Sequence, residues 1–323
     1  MTAPLVPDRP LAAVTGATGF LGRYVVAALA EAGWRTRLLV RQDPVHELWR
    51  GVEPEIVPGD LSDEGALERL VAGADAIIHL AGLIKAVDRA GFFRVNEGGS
   101  AALARATVTA APGARMVIVS SLAAREPQLS DYAASKRAGE AAAIRELGDR
   151  PWVVVRPAGV YGPGDRESLA LFKAAAGKLA PVLGGREARL GWIHAEDAAR
   201  AIAALAARGA PCGEIYELSD ARTDGYSWDE MLDAAAAAVG NRPVRLRPPA
   251  ALLRVIGAAS GWIARARRRP AMLTAGKVRE ALHPDWSCAA ARQPPPEFWK
   301  PRISLAEGFA ATALWYRERG WLP

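Results

Sequence analysis

Histidine and cysteine are scarce in this chain, with four of the first and two of the second in 323 residues. His46, His79, His194 and His283 show no H-x-x-x-H spacing, and Cys212 and Cys288 form neither a metal-type nor a redox-type pair. No bound metal and no disulfide framework are therefore expected. The chain opens without a charged-then-apolar signal segment, so a reducing cytoplasm is the expected location. Its longest apolar stretch, Pro249 to Ala264, is broken by Arg254 and is shorter than the ~20 residues of a membrane span. No transmembrane helix is expected. Basic residues outnumber acidic ones only by 41 to 35. The arginines cluster at Arg265, Arg267, Arg268 and Arg269, not in stripes interleaved with aromatics, so nucleic acid is not an expected partner.

What is present is alternation. Up to Pro157, short β-rich runs alternate with Ala-rich helical stretches, the pattern of βαβ units on a parallel sheet. The runs are Leu11 to Thr15, Thr36 to Val40, Glu55 to Val57, Ala76 to Leu80, Met116 to Ser120 and Trp152 to Arg156. They predict an α/β chain: a Rossmann-type doubly wound parallel sheet over residues 1–157, with a smaller mixed substrate lobe over 158–323. The boundary is approximate, and the chain is free to cross back. In the second part come loops at Gly162 to Gly164 and Gly184 to Gly185, a strand GEIYEL, several helices and a Pro-rich stretch from Pro294 to Pro296.

The first strand runs into Thr15-Gly16-Ala17-Thr18-Gly19-Phe20-Leu21-Gly22 and then an apolar helix. In that context Gly16 suits a tight turn, Gly19 a close approach of backbone to a pyrophosphate, and Gly22 close helix packing. The helix N-terminus offers free N–H groups to the anion. Gly16, Thr18, Gly19, Phe20, Leu21 and Gly22 are thus candidate dinucleotide contacts; the bland alternative is a plain strand-to-helix turn. Where the second strand ends, an NAD-selective site usually carries a carboxylate for the ribose 2′-hydroxyl. Arg41 stands there instead, and a guanidinium suits a 2′-phosphate, so NADP is expected ahead of NAD. Asp43 nearby keeps NAD open.

Tyr132 and Lys136 are four residues apart in an Ala-rich helical stretch, which puts both on one face. A carbonyl that accepts hydride needs a proton on its oxygen, and a phenol of pKa near 10 gives or takes one poorly at neutral pH. A neighbouring ammonium favours phenolate, a part for which Lys136 is the candidate. Ser121 closes the fifth strand, where such sheets face their ligand, and can hydrogen-bond the same oxygen. Ser120 is the alternative if the register is off by one.

These motifs resemble the extended branch of the short-chain dehydrogenase/reductase superfamily, the NAD-dependent epimerase/dehydratase group. TGATGFLG, GDL at Gly59 to Leu61, HLAG at His79 to Gly82, Val95-Asn96, VSS at Val119 to Ser121, YAASK, RPAGVYGPGD at Arg156 to Asp165 and IHAEDAARA at Ile193 to Ala201 follow in family order. The resemblance implies that Asp60 and Leu61 flank the adenine and that Ala81, Gly82, Pro157 and Val160 line the cofactor. It also implies that Asn96 supports catalysis and that Lys136 holds the nicotinamide ribose. Plainer readings stand beside these: Asp60 as a turn acid, His79 as a buried strand residue, Asn96 as a helix cap.

Sugar-nucleotide enzymes of this kind tend to carry Asn where this chain has Gly159, and Arg where it has Leu190, although Arg189 is adjacent. No acid pair of the dehydratase type follows Ser121, since Leu122 and Ala123 stand there. The resemblance thus favours a reductase or dehydrogenase of the dihydroflavonol or β-hydroxysteroid type, acting on a relatively apolar small molecule. A nucleotide-sugar epimerase with tightly held NAD and a noncatalytic dinucleotide-binding protein are the alternatives. Trp192, Tyr226, Trp228, Leu252, Leu253, Ile256 and Trp262 are candidates for an apolar pocket. The helix over 250–269, with its basic end, reads either as a packed helix or as a peripheral membrane contact. A homodimer through paired helices is a further expectation of the resemblance.

Overall fold

The computed structural model describes residues 9–42, 46–267 and 274–323. Asp43, Arg268 and Arg269, singled out above, lie outside the described residues, as does the side chain of Arg265. All six β-rich runs form strands: β1 (Leu11–Thr15), β2 (Arg35–Val40), β3 (Glu55–Pro58), β4 (Ala76–His79), β5 (Arg115–Val119) and β6 (Trp152–Pro157). Between them run α1 (Phe20–Glu31), α2 (Glu64–Val71), α3 (Arg89–Phe93), α4 (Gly99–Ala110) and α5 (Asp131–Leu147), with a π-helical turn at Arg94–Gly98 joining α3 to α4. Past Pro157 come β7 (Gly159–Tyr161), α6 (Leu169–Ala176), β8 (Leu179–Pro181), β9 (Arg189–Leu190), β10 (Trp192–His194) and α7 (Ala195–Ala206). The chain ends with β11 (Glu214–Leu218), α8 (Trp228–Val239), β12 (Val244–Leu246), α9 (Ala250–Ala266), α10 (Ala275–Leu282), β13 (Asp285–Trp286) and α11 (Leu305–Glu318).

The main sheet has the order β3-β2-β1-β4-β5-β6-β11. Every pairing in it is parallel. Both faces are covered, so its strands are continuous apolar runs; β1 and β5 are buried throughout. The order reverses between β1 and β4, and the connections leaving those strands diverge there to open a crevice at their carboxyl ends.

The GEIYEL strand needs a correction. It was read with the smaller lobe, but β11 is the seventh strand of the main sheet, in register with β6 from Glu214 opposite Val153 to Leu218 opposite Pro157. Tyr216 and Leu218 are buried there in the same cluster as α1 and α7. The chain therefore leaves the sheet after β6, returns through α7 and β11, and leaves again. The lobe has its own core, in which Tyr161, Phe172, Phe309 and Tyr316 are fully buried.

Candidate active site

Steric demands make the glycine loop specific. Gly16 has φ +73°, and a Cβ there would lie 2.6 Å from the backbone nitrogen of Ala81; one on Gly22 would lie 2.1 Å from the Gly16 carbonyl oxygen. Gly19 sits in extended backbone as the N-cap of α1 and supplies no side-chain cap, and the first turn of the helix carries no acid. Thr18 and Gly19 are exposed, while Phe20 and Leu21 are partly buried. A turn held this tightly beside an uncapped helix start fits a dinucleotide diphosphate, which needs bare N–H groups and a close backbone.

The other cofactor candidates surround this turn. Ala81 donates its N–H to Thr15 Oγ1 at 3.3 Å, and a Cβ on the neighbouring Gly82 would lie 3.0 Å from Asn96 Oδ1. Leu61 packs on Gly99 of α4, where a Cβ would come within 2.6 Å of its Cδ1. Asp60 accepts from the backbone and hydroxyl of Ser62 at 2.8 and 2.6 Å, which is the turn-acid reading. Those bonds lower its carboxyl pKa, with a smaller contribution from Arg41. Arg41 is exposed, just past β2. Pro157 is buried at the end of β6, and Val160 is partly buried on β7 opposite Ile193.

A one-way chain of hydrogen bonds lies behind the crevice. Ser100 donates its only hydroxyl proton to the Asn96 carbonyl at 2.6 Å. It must therefore accept at 2.9 Å from His79 Nε2, leaving Nδ1 to accept from Thr15 at 2.8 Å. Burial, with Lys136 nearby, takes the His79 imidazole down to about 3, so it is neutral and held in a single tautomer. Asn96 is not a helix cap. It sits in the π turn and spends its side chain on Leu83 N at 2.7 Å, Leu83 O at 3.0 Å and Ser135 Oγ at 2.9 Å. Its amide thus ties the loop after β4 to α5, between Tyr132 and Lys136.

Helix α5 starts at a Ser130 cap, whose Oγ accepts from Ala133 N at 3.0 Å. In its first turn, the Tyr132 ring lies 6.2 Å from Phe92. Lys136 donates to the Val119 carbonyl at 2.9 Å, and burial lowers its pKa to about 8. A second ammonium lies against the ring of Tyr132. Lys277, from α10, holds its ammonium 4.8 Å from the centre of the Tyr132 ring. Glu280 grips that ammonium at 2.9 Å and also bonds Ser130. Burial raises the Tyr132 pKa; Lys277 and a hydrogen bond with Ser121 pull against it, and Glu280 adds slightly to it. The Ser120 hydroxyl is buried without a partner, and Ser121 Oγ accepts from Ala123 N at 3.2 Å. Nothing local in the sequence marks Lys277. Its signal is a close approach of helices, since a Cβ on the adjacent Gly276 would lie 2.8 Å from Ser130 Cβ.

On the substrate side, Trp192 fills the space where a residue 159 side chain would go. A Cβ on Gly159 would press on its indole at 3.2 Å. Leu190 is buried, and Arg189 turns its guanidinium to the Ala188 carbonyl at 3.4 Å. The proposed apolar pocket does not form as expected. Trp192, Tyr226 and Trp228 pack against the lobe core, whereas Leu252, Ile256 and Trp262 are exposed. A separate cavity of about 700 Å³ touches Phe20, Ile84, Glu167 and Trp315 but not Tyr132.

The model for the NAD dependent epimerase/dehydratase family matches residues 12–219. A ceramide reductase from Caulobacter vibrioides is 48% identical over 316 residues, covering 98% of this chain and 97% of its own. A 4-hydroxy-2-methyl-3-oxo-4-farnesyl-3,4-dihydroquinoline-1-oxide ketoreductase from Stigmatella aurantiaca is 30% identical, covering 74% of this chain and 78% of its own. Among solved structures, the dTDP-glucose 4,6-dehydratase of Streptomyces venezuelae with NAD and TYD bound superposes with a TM-score of 0.72. At 23% identity, covering 97% of this chain and 98% of that one, it shows the shared fold.

Proposed function

We propose, from the premise that this chain belongs to the NAD dependent epimerase/dehydratase family and is an NAD(P)-dependent oxidoreductase, that it reduces the carbonyl form of a ceramide-type lipid to the alcohol. The observation that carries the reading is the Tyr132 ring with the Lys277 ammonium 4.8 Å from its centre. When bound, the dinucleotide supplies the hydride for the carbonyl carbon. Tyr132 gives its proton to the carbonyl oxygen, and Ser121 donates a hydrogen bond to that oxygen as charge builds on it. Lys277 offsets the charge left on the phenolate until solvent restores the proton. Lys136 holds the ribose hydroxyls, and Asn96 is a positioning residue that fixes the loop after β4. Likeness to a ceramide reductase over nearly the full length supports the substrate class, as does the indole standing where a polar diphosphate partner would go.

The exposed Arg41 beyond β2 supports NADP as the preferred dinucleotide. We place the enzyme in the cytoplasm, where Cys212 and Cys288 stay as free thiols. Among the described residues, no helix is long and apolar enough to cross a membrane.

Following NADPH absorbance with ceramide-type ketones in mixed micelles tests the reading. Tyr132→Phe is expected to lower kcat by roughly 10²-fold or more while leaving dinucleotide affinity intact; unchanged turnover would remove Tyr132 from the chemistry. Michaelis constants for the two dinucleotides test Arg41. NADP is expected to be favoured, Arg41→Ala to erase the difference, and a tenfold preference for NAD would overturn the assignment.

A further inference from the structure

The acidic residues of this chain are unevenly spread. None occurs between positions 234 and 279, a stretch that holds ten of the 41 basic residues; the remaining 31 share the rest of the chain with all 35 acids. Arg245 and Arg247 are neutralised by Asp229 and Asp233 of α8, and Lys277 by Glu280. Arg254 and Arg267 are exposed, with no acidic partner among the described residues, and Arg265, Arg268 and Arg269 adjoin them in sequence.

Helix α9 lies in the middle of this stretch and is inside out. Its glycines face the protein: Gly257 and Gly261 are buried, and a Cβ on Gly257 would come within 2.6 Å of Val278 Cγ2 on α10. Apart from the buried Leu253, its large apolar residues face away. Leu252, Val255, Ile256, Trp262 and Ile263 are exposed, Val255 to 65% and Trp262 to 72%. Their spacing is that of a single helical stripe, which an ordinary surface helix turns towards its core. A continuous apolar stripe left in water marks an interaction surface.

We infer that α9 docks this protein on the surface of an anionic phospholipid bilayer, lying in the interface with its outer stripe among the acyl chains and its arginines at the headgroups. Charge selects the occupant. An acid-free segment that carries the exposed Arg254 and Arg267 and runs on in sequence into Arg268 and Arg269 complements a negative lipid surface. A second copy of the chain would instead bring the same arginines against one another. At about 1.5 Å per residue the 17-residue helix is too short to span the hydrocarbon core but long enough to lie along it. Docking there would also set the reaction site near the lipid, because α9 packs on α10, which carries Lys277 to Tyr132. The inference does not rest on the proposed substrate, and its test uses none.

The whole chain is sedimented with phosphatidylcholine vesicles, with and without phosphatidylglycerol. Binding is expected at low salt only with phosphatidylglycerol, and release at about 0.5 M salt, where charges are screened within a few ångströms. The variant V255Q/W262Q removes two exposed side chains and is expected to bind about tenfold more weakly with its urea midpoint unchanged. No sedimentation at low salt would overturn the inference, as would equal binding of the variant. A wild-type dimer that ignores vesicles and dissociates in V255Q/W262Q would overturn it too, by assigning the stripe to a second copy.

Discussion

Lys277 meets a need created by Tyr132. A phenol removed from water resists ionisation, yet each turnover must pass through its phenolate, so a cation on the ring lowers the cost of the charged state. Lys136, four residues along, gives one of its three donors to the Val119 carbonyl. Lys277 and Glu280 face the ring from α10, Ser121 from the end of β5, and Lys136 lies on the same helix as the phenol. Removing Lys277 takes away a group that favours phenolate, so the pKa moves up. Lys277→Met is expected to shift the rising, base-dependent limb of the alcohol-oxidation profile upwards by roughly one pH unit and to slow oxidation at neutral pH, with Lys277→Arg restoring most of both. A pH–kcat series checks this, and a profile that stays put would return Lys277 to a purely structural part.

At the level of strand and helix, the buried pair Arg156–Glu140 joins β6 to α5 through two bonds of 2.9 and 2.6 Å. Glu140 is one turn beyond Lys136 and supports its charged form against burial. Because both partners are almost fully buried, Arg156→Met strands a carboxylate and is expected to cost about 3–5 kcal/mol in urea unfolding, part of which R156M/E140Q recovers. A loss within the ~0.5 kcal/mol of ordinary surface changes would show the pair to be dispensable. This pair also marks a limit of the sequence. Strands, the glycine turn and the Tyr132/Lys136 spacing were legible because each is local: an apolar run, a steric exception, one helical turn. Which strand β11 joins, which base meets Glu140 and which cation meets Tyr132 depend on pairings across long stretches of chain. Arg156 stood in a recognisable motif, yet nothing beside it named its partner. The π turn around Asn96 was equally hidden, since its residues read as an ordinary helix start.

For the molecule as a whole, one carboxylate ties the closing segment to α7. Asp197, fully buried on α7, accepts from the backbone of Arg302 at 3.0 Å and Ile303 at 2.8 Å and pairs with Arg200 at 2.5 Å. Asp197→Ala leaves the backbone donors of Arg302 and Ile303 without an acceptor and is expected to cost about 3 kcal/mol, with the segment that leads into α11 opening first to hydrogen exchange. Uniform exchange, with no early opening near residue 302, would show that the segment is held by α11 alone. The lobe that follows the sheet is bound together just as tightly around Trp192, whose ring packs on Tyr161 at 5.6 Å and Phe309 at 5.8 Å. That packing bears on what position 159 can carry. Any side chain there requires the indole to give by a few tenths of an ångström, and the rings against which Trp192 leans set how far it can.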